Sequence, residues 1–161
     1  MARRVFFSFH YENDIWRSSV VRNSWLTKED REDAGFFDAS IWEEAKIKGK
    51  AAVHKLIDSA LENTSVTVVL IGSETSDREY VLYEIVQSWN RGNGVLGIYV
   101  HNIKDQNQKT TTKGANPFDN VTLGDDGTKL SSKVKTYNWV SDDGYNKLGD
   151  WVESAAKARG K

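Results

Sequence analysis

Hydrophobic positions in this chain fall into short saturated runs, separated by longer stretches with helical spacing. The most continuous run is Val66-Thr67-Val68-Val69-Leu70-Ile71. An apolar run without alternation predicts a strand buried on both faces of a parallel sheet. Arg4-Val5-Phe6-Phe7-Ser8-Phe9 and Val95-Leu96-Gly97-Ile98-Tyr99-Val100 read as further buried strands. Gly35-Phe36-Phe37-Asp38 predicts a shorter strand, and the alternation over residues 134–140 predicts an edge strand. Between these runs apolar residues recur every three or four positions. Ile15, Trp16, Val20, Val21 and Trp25 mark a helix with Asn13 or Asp14 as its cap. Trp42, Ala45, Val53, Leu56, Ile57, Ala60 and Leu61 mark a long helical pattern. Gly49 interrupts it, so its first turns read as loop or as a separate short helix. Val81, Leu82, Ile85, Val86 and Trp89 form the stripe of a third helix, opened by a capping-box pattern at Ser76 and Glu79. Tyr145, Leu148, Trp151, Val152 and Ala155 mark the last. Residues 27–33 read as a charged connection without periodicity.

Strand and helix alternate, with five strands in all. This order predicts a doubly wound α/β fold, flavodoxin-like in size, with a parallel sheet and helices on both faces. A chain of 161 residues suits one domain with a sizeable core. The pattern breaks at about residues 101–133, which are rich in Asn, Lys, Thr, Gly and Asp and hold the only proline, Pro117. A polar insertion of that length reads as a functional loop or a mobile segment.

Composition narrows the chemistry. The net charge is −1, which gives no basic excess for binding nucleic acid. No apolar run approaches the ~20 residues of a membrane helix, and the N-terminus lacks the apolar core of a signal peptide. There is no cysteine, which removes thiol nucleophiles, disulfides and cysteine metal sites and suits the cytoplasm. His10, His54 and His101 have no metal-like spacing. Neither a Walker motif, a G-x-G-x-x-G fingerprint nor a G-x-S-x-G elbow is present. A receiver domain shares the strand order but needs an acceptor aspartate where Gly72-Ser73 stands.

In open α/β sheets, ligands gather beyond the carboxyl ends of the strands. Ser8, Phe9 and His10 follow the first strand, Asp38, Ser40 and Trp42 the second, and Gly72 and Ser73 the third. Tyr80 and Glu84 lie on the helix after the third, off its apolar stripe. Aromatic rings, hydroxyls and carboxylates in one place suit a nucleoside. Each residue also has a plainer role. Asp38 can cap a helix, Trp42 can pack in the core, His10 can be structural, and Glu84 can be a solvated helix residue.

Phe6-Phe7-Ser8-Phe9-His10-Tyr11, Leu70-Ile71-Gly72-Ser73 and Tyr80-Val81-Leu82-Tyr83-Glu84-Ile85, with the segment at 137–147, resemble a TIR domain. More narrowly the chain resembles the TIR-like proteins of the Thoeris anti-phage system. That resemblance implies an enzyme that consumes NAD as substrate, with no separate cofactor and no metal. It implies cleavage of the nicotinamide–ribose bond and formation of a cyclic ADP-ribose isomer or a related ADP-ribose signalling molecule. Glu84 then occupies the catalytic position, and Tyr80 the position four residues earlier where these enzymes carry an aromatic residue, often tryptophan. Phe9 and Trp42 are the expected stacking residues, and Ser8, His10, Asp38 and Ser73 the expected holders of ribose or phosphate. The expected partners are a second copy of the chain, which completes the active site, and a downstream effector that senses the product nucleotide. The loop after the second strand lacks the Arg-Asp and Pro-Gly residues of adaptor-type TIR loops, which argues against a receptor-adaptor module. The competing reading is a non-enzymatic TIR-like or flavodoxin-like module that binds a nucleotide or a protein, with Glu84 on its surface.

Overall fold

The computed structural model describes residues 3–28, 31–37 and 39–161. The chain runs β1 (Arg3–Ser8), α1 (Tyr11–Leu26), β2 (Arg31–Ala34), α2 (Ala39–Lys48), α3 (Lys50–Leu61), β3 (Val66–Ile71), α4 (Glu79–Asn90) and β4 (Gly94–Tyr99). A small antiparallel hairpin follows, β5 (Thr122–Leu123) with β6 (Thr128–Lys129), and then β7 (Thr136–Asn138) and α5 (Gly144–Ala158). Among the described residues β2-β1-β3-β4-β7 form one sheet, and every pairing in it is parallel. This is the predicted flavodoxin-like, TIR-like α/β architecture. The central strand β3 is buried at all six positions, as its unbroken apolar run requires.

Alternation along β1 and β3 divides the core between the two faces. Val5, Phe7 and Phe9 point with Val66, Val68 and Leu70 to the α1–α5 face, against Val21, Trp25, Leu148 and Val152. On the other face Phe6 packs with Trp42, Val53, Ile57 and Leu61 of α2 and α3. Val69 and Ile71 pack there with Val81 and Ile85 of α4. No helix among the described residues is long and apolar enough to cross a membrane.

Three local expectations are corrected. The second strand lies at Arg31–Ala34, in the segment whose charges suggested a connection. Its polar side chains are tolerated because β2 is an edge strand, paired among the described residues with β1 alone. Arg31 lies 4.3 Å over the Trp25 ring, and Asp33 accepts from Arg22 at 2.7 Å. The apolar Phe36 and Phe37 therefore fall beyond the strand end, on the rim, while Asp38 lies outside the described residues. Helix α1 starts at Tyr11, so Asn13 and Asp14 stand inside it and do not cap it. Asp14 is 1% exposed and turns inward against Thr75 and Gly72, where a Cβ would fall 2.2 Å from its carboxylate. The Ser76–Glu79 capping box does not form, and α4 starts at Glu79. The preceding turn closes on itself instead: the Gly72 N–H donates to Thr75 Oγ1 at 2.8 Å, and the Arg78 N–H to the Thr75 carbonyl at 3.2 Å.

Gly49, at φ 111°, ends α2 and separates it from α3, one of the two outcomes its position allowed. The polar insertion is packed, and it replaces a crossover helix between β4 and β7. Phe118 and Leu130 are fully buried in it against the β3–α4 core. Arg17 of α1 holds its start, donating to the carbonyls of Ile103 at 2.7 Å and Lys109 at 2.8 Å.

Candidate active site

Ser8 ends β1 on the side of the sheet that faces α4, and its hydroxyl donates to Glu84 Oε1 at 2.9 Å. Glu84 is 5% exposed. The helical spacing placed it off the apolar stripe, but α4 is covered on more than that stripe. Its Val81 and Ile85 pack in one cluster while Tyr80 and Tyr83 pack against α2 and α3, so the flank between them is enclosed. Polar groups at that flank are satisfied in series. Thr67 donates to Ser88 at 2.7 Å, and Ser88 donates to the Glu84 carbonyl at 2.6 Å. Burial pushes the Glu84 carboxyl well above the usual carboxylate range, and the Ser8 hydrogen bond opposes that rise. The group is therefore biased toward its neutral form.

Above Glu84 opens a cleft of about 230 Å³ with an aromatic wall. Phe37 and Trp42 stack with ring centres 5.6 Å apart and planes 7° apart. Tyr80 meets Trp42 edge-on at 5.8 Å, and Tyr11 lies 5.9 Å from Trp42 and 6.0 Å from Phe9. The rings hold one another, so the wall is preorganised for a flat ligand. His10 lines the cleft, and its Nδ1 is buried with no hydrogen-bond partner among the described residues. Burial first, and the Arg78 charge second, lower its pKa, which favours neutral imidazole suited to a hydroxyl. At the mouth, Lys46 of α2 donates to Glu12 of α1 at 2.7 Å, and Arg78 stands at the start of α4.

The structure thus brings Phe9, His10, Trp42, Tyr80 and Glu84 together around one cleft. Ser8 lies behind Glu84, fully buried, as its hydrogen-bond partner. Ser73 does not line the cleft; it sits in the turn after β3, beneath the insertion, where a Cβ on Gly114 would fall 2.0 Å from the Gly72 carbonyl oxygen. His54 is outside, stacked on Tyr83 at 3.7 Å. His101 is buried beside Tyr99. Sequence reasoning missed Phe37, Glu12, Lys46 and Arg78 as cleft residues. Phe37 was hidden inside a pattern read as a strand. The three charges gave no signal, because charged residues on helix surfaces are the rule. Tyr11 was present in the TIR-like string, without a role attached to it.

The family described as "Thoeris protein ThsB, TIR-like domain" matches residues 6–105, a span that runs from β1 past β4 and includes Glu84. The chain is also 41% identical to the "Putative cyclic ADP-D-ribose synthase ThsB1" of Bacillus cereus (strain MSX-D12), with 94% of this chain and 100% of that relative covered.

Proposed function

The chain belongs to the ThsB family of Thoeris proteins through its TIR-like domain, and from this premise we propose that it cleaves NAD at the nicotinamide–ribose bond and converts the ADP-ribose part into a signalling nucleotide in anti-phage defence. The observation that carries the reading is Glu84, buried at the floor of an aromatic cleft with Ser8 as its donor. The Bacillus cereus relative, described as "Putative cyclic ADP-D-ribose synthase ThsB1", supports the same chemistry.

Nicotinamide in NAD is a cationic leaving group, so its departure needs no general acid. The transition state resembles an oxocarbenium ion, as in glycoside hydrolysis. One carboxylate beside the ribose stabilises that developing charge more than it stabilises the ground state. Burial keeps Glu84 biased toward neutrality until a ligand arrives. The positive pyridinium ring then favours the ionised form, so the carboxylate charge is recovered when substrate occupies the cleft. Trp42 and Phe9 stack on the rings, and His10 holds a ribose hydroxyl. A nucleophile within the same molecule competes with water through its high effective molarity, which favours cyclisation when the cleft is closed. The active form is an assembly of copies of the chain, and the product passes to an effector that senses it.

The test is incubation of the purified protein with NAD across a range of protein concentrations, followed by chromatography and mass spectrometry, beside Glu84→Gln. Release of nicotinamide with an ADP-ribose-derived product, lost in the variant and rising more than linearly with protein concentration, is the expected result. Equal turnover by both proteins removes Glu84 from the mechanism.

A further inference from the structure

The cleft is small for the ligand assigned to it. Pockets that enclose a whole drug-sized ligand run to roughly 300–1,000 Å³, whereas this one holds about 230 Å³. It suits the nicotinamide riboside end of a dinucleotide. The next group along the substrate, the diphosphate, then falls at the mouth. Two cations line that mouth, Lys46 and Arg78. They reach it from different elements, α2 and the start of α4.

Resting on the reading of the cleft as an NAD site, we propose that Lys46 and Arg78 hold the diphosphate, and that Glu12 competes for Lys46 as an internal stand-in for it. Among the described residues, both cations are held by partners that exchange readily. Lys46 donates to Glu12 at 2.7 Å and has Glu43 at 3.8 Å, with its own side chain 34% exposed. Arg78 donates from Nε to the Glu74 carbonyl at 3.2 Å and has the Glu74 carboxylate at 3.7 Å. Solvent-exposed pairs of this kind are weak. The diphosphate carries two negative charges, which match the two cations. Arg78 presents a planar fork to one phosphate and Lys46 a mobile point charge to the other. Release of Glu12 accompanies binding, because a carboxylate beside the diphosphate is repelled. The other carboxylate at the mouth, Glu79, is already paired with Lys50. Lys46 and Arg78 therefore select dinucleotides over nicotinamide nucleosides, and Glu12 sets how tightly the dinucleotide binds.

The experiment compares NAD, nicotinamide mononucleotide and nicotinamide riboside as substrates for the unsubstituted protein, Lys46→Gln, Arg78→Gln and Glu12→Gln, with ADP-ribose binding measured by calorimetry on the same four proteins. Each cation variant is expected to raise KM for NAD about tenfold, the scale of one lost charge-assisted hydrogen bond, with kcat within about twofold. The effect shrinks with nicotinamide mononucleotide and vanishes with the riboside. Glu12→Gln lowers KM for NAD several-fold and leaves the riboside unchanged. Equal losses on NAD and the riboside, or no change on NAD, overturn the inference. Absence of turnover in every protein overturns the enzymatic reading instead. ADP-ribose binding then decides this inference by itself: affinity weakened in Lys46→Gln and Arg78→Gln and tightened in Glu12→Gln upholds it, and any other pattern refutes it.

Discussion

The hydroxyl of Ser8 and the carboxylate of Glu84 meet at 2.9 Å, although 76 residues separate them in sequence. The bond joins the end of β1 to the middle of α4 and, among the described residues, is the side-chain interaction that offsets the burial of Glu84. The Ser8 hydroxyl favours the ionised form of Glu84, so its loss moves the Glu84 pKa further upward. Ser8→Ala is therefore expected to shift the acidic limb of the kcat/KM profile for NAD cleavage toward higher pH. Activity at high pH is retained in large part. A profile displaced to lower pH, or an unmoved one, contradicts the pairing.

Glu84→Gln is expected to lower kcat about a hundredfold or more, the scale of removing one group aimed at transition-state charge. The same variant gains stability at neutral pH. The folded-state pKa of Glu84 is raised, so the native protein binds more protons than the unfolded chain and loses stability as pH rises between the two pKa values. Glutamine does not titrate and removes that loss. Urea midpoints at pH 7.5 should rank Glu84→Gln above the unsubstituted protein.

Asp14 makes a second pH-dependent contribution, away from the cleft. Burial raises its pKa from 3.8 to about 6, against the opposing influence of Arg17 and the Thr75 hydroxyl. The sign is the same as for Glu84: stability is full below pH 3.8 and falls as pH rises through about 6. The full loss corresponds to about 3 kcal/mol. Asp14→Asn should match the unsubstituted protein in urea denaturation near pH 4 and exceed it at pH 7.5 by up to that amount. Equal midpoints at both pH values would show that Asp14 ionises freely.

Trp42 touches Tyr11, Phe37 and Tyr80, so its removal opens the aromatic wall of the cleft. Stacking of a base on an aromatic side chain is worth roughly 1–3 kcal/mol. Trp42→Ala should raise KM for NAD about tenfold, and Trp42→Phe should restore most of the loss. Thermal denaturation of both variants separates lost stacking from lost packing.

Arg17 is 7% exposed and joins α1 to the insertion through two carbonyls and, at 3.6 Å, the Asp105 carboxylate. Arg17→Gln removes the charge beside Asp105, whose Oδ1 keeps the N–H groups of Asn107 and Lys109, and leaves the two carbonyls with weaker donors or none. Amide hydrogen exchange over residues 103–113 should accelerate while exchange in β3 stays slow. If the segment gates the cleft, the same variant changes nicotinamide release; uniform exchange with unchanged activity separates the segment from the site.

Sequence pattern alone determined the buried strands of the sheet and the helices that cover it. Burial on both faces leaves β1, β3 and β4 no room for polar alternation, so their apolar runs are legible without coordinates. The TIR-like strings also singled out Glu84 as the candidate catalytic residue. Strand β2 was not legible, because an edge strand paired on one side keeps its charges and lacks the apolar signal. Asp14 and Ser76 carried capping signals that were not used: a tertiary contact turned the Asp14 carboxylate into the core, and a local self-closing turn before α4 replaced the Ser76 cap. The burial of Glu84 was decided only by tertiary structure. Helical periodicity reports one apolar stripe, but α4 wedges between two clusters, and the flank enclosed between them holds a carboxylate whose ionisation then depends on Ser8 and on what enters the cleft. The mouth follows the same logic: Glu12, Lys46 and Arg78 are ordinary surface charges in sequence, and they share a site only because the ends of α1, α2 and α4 converge beyond β1.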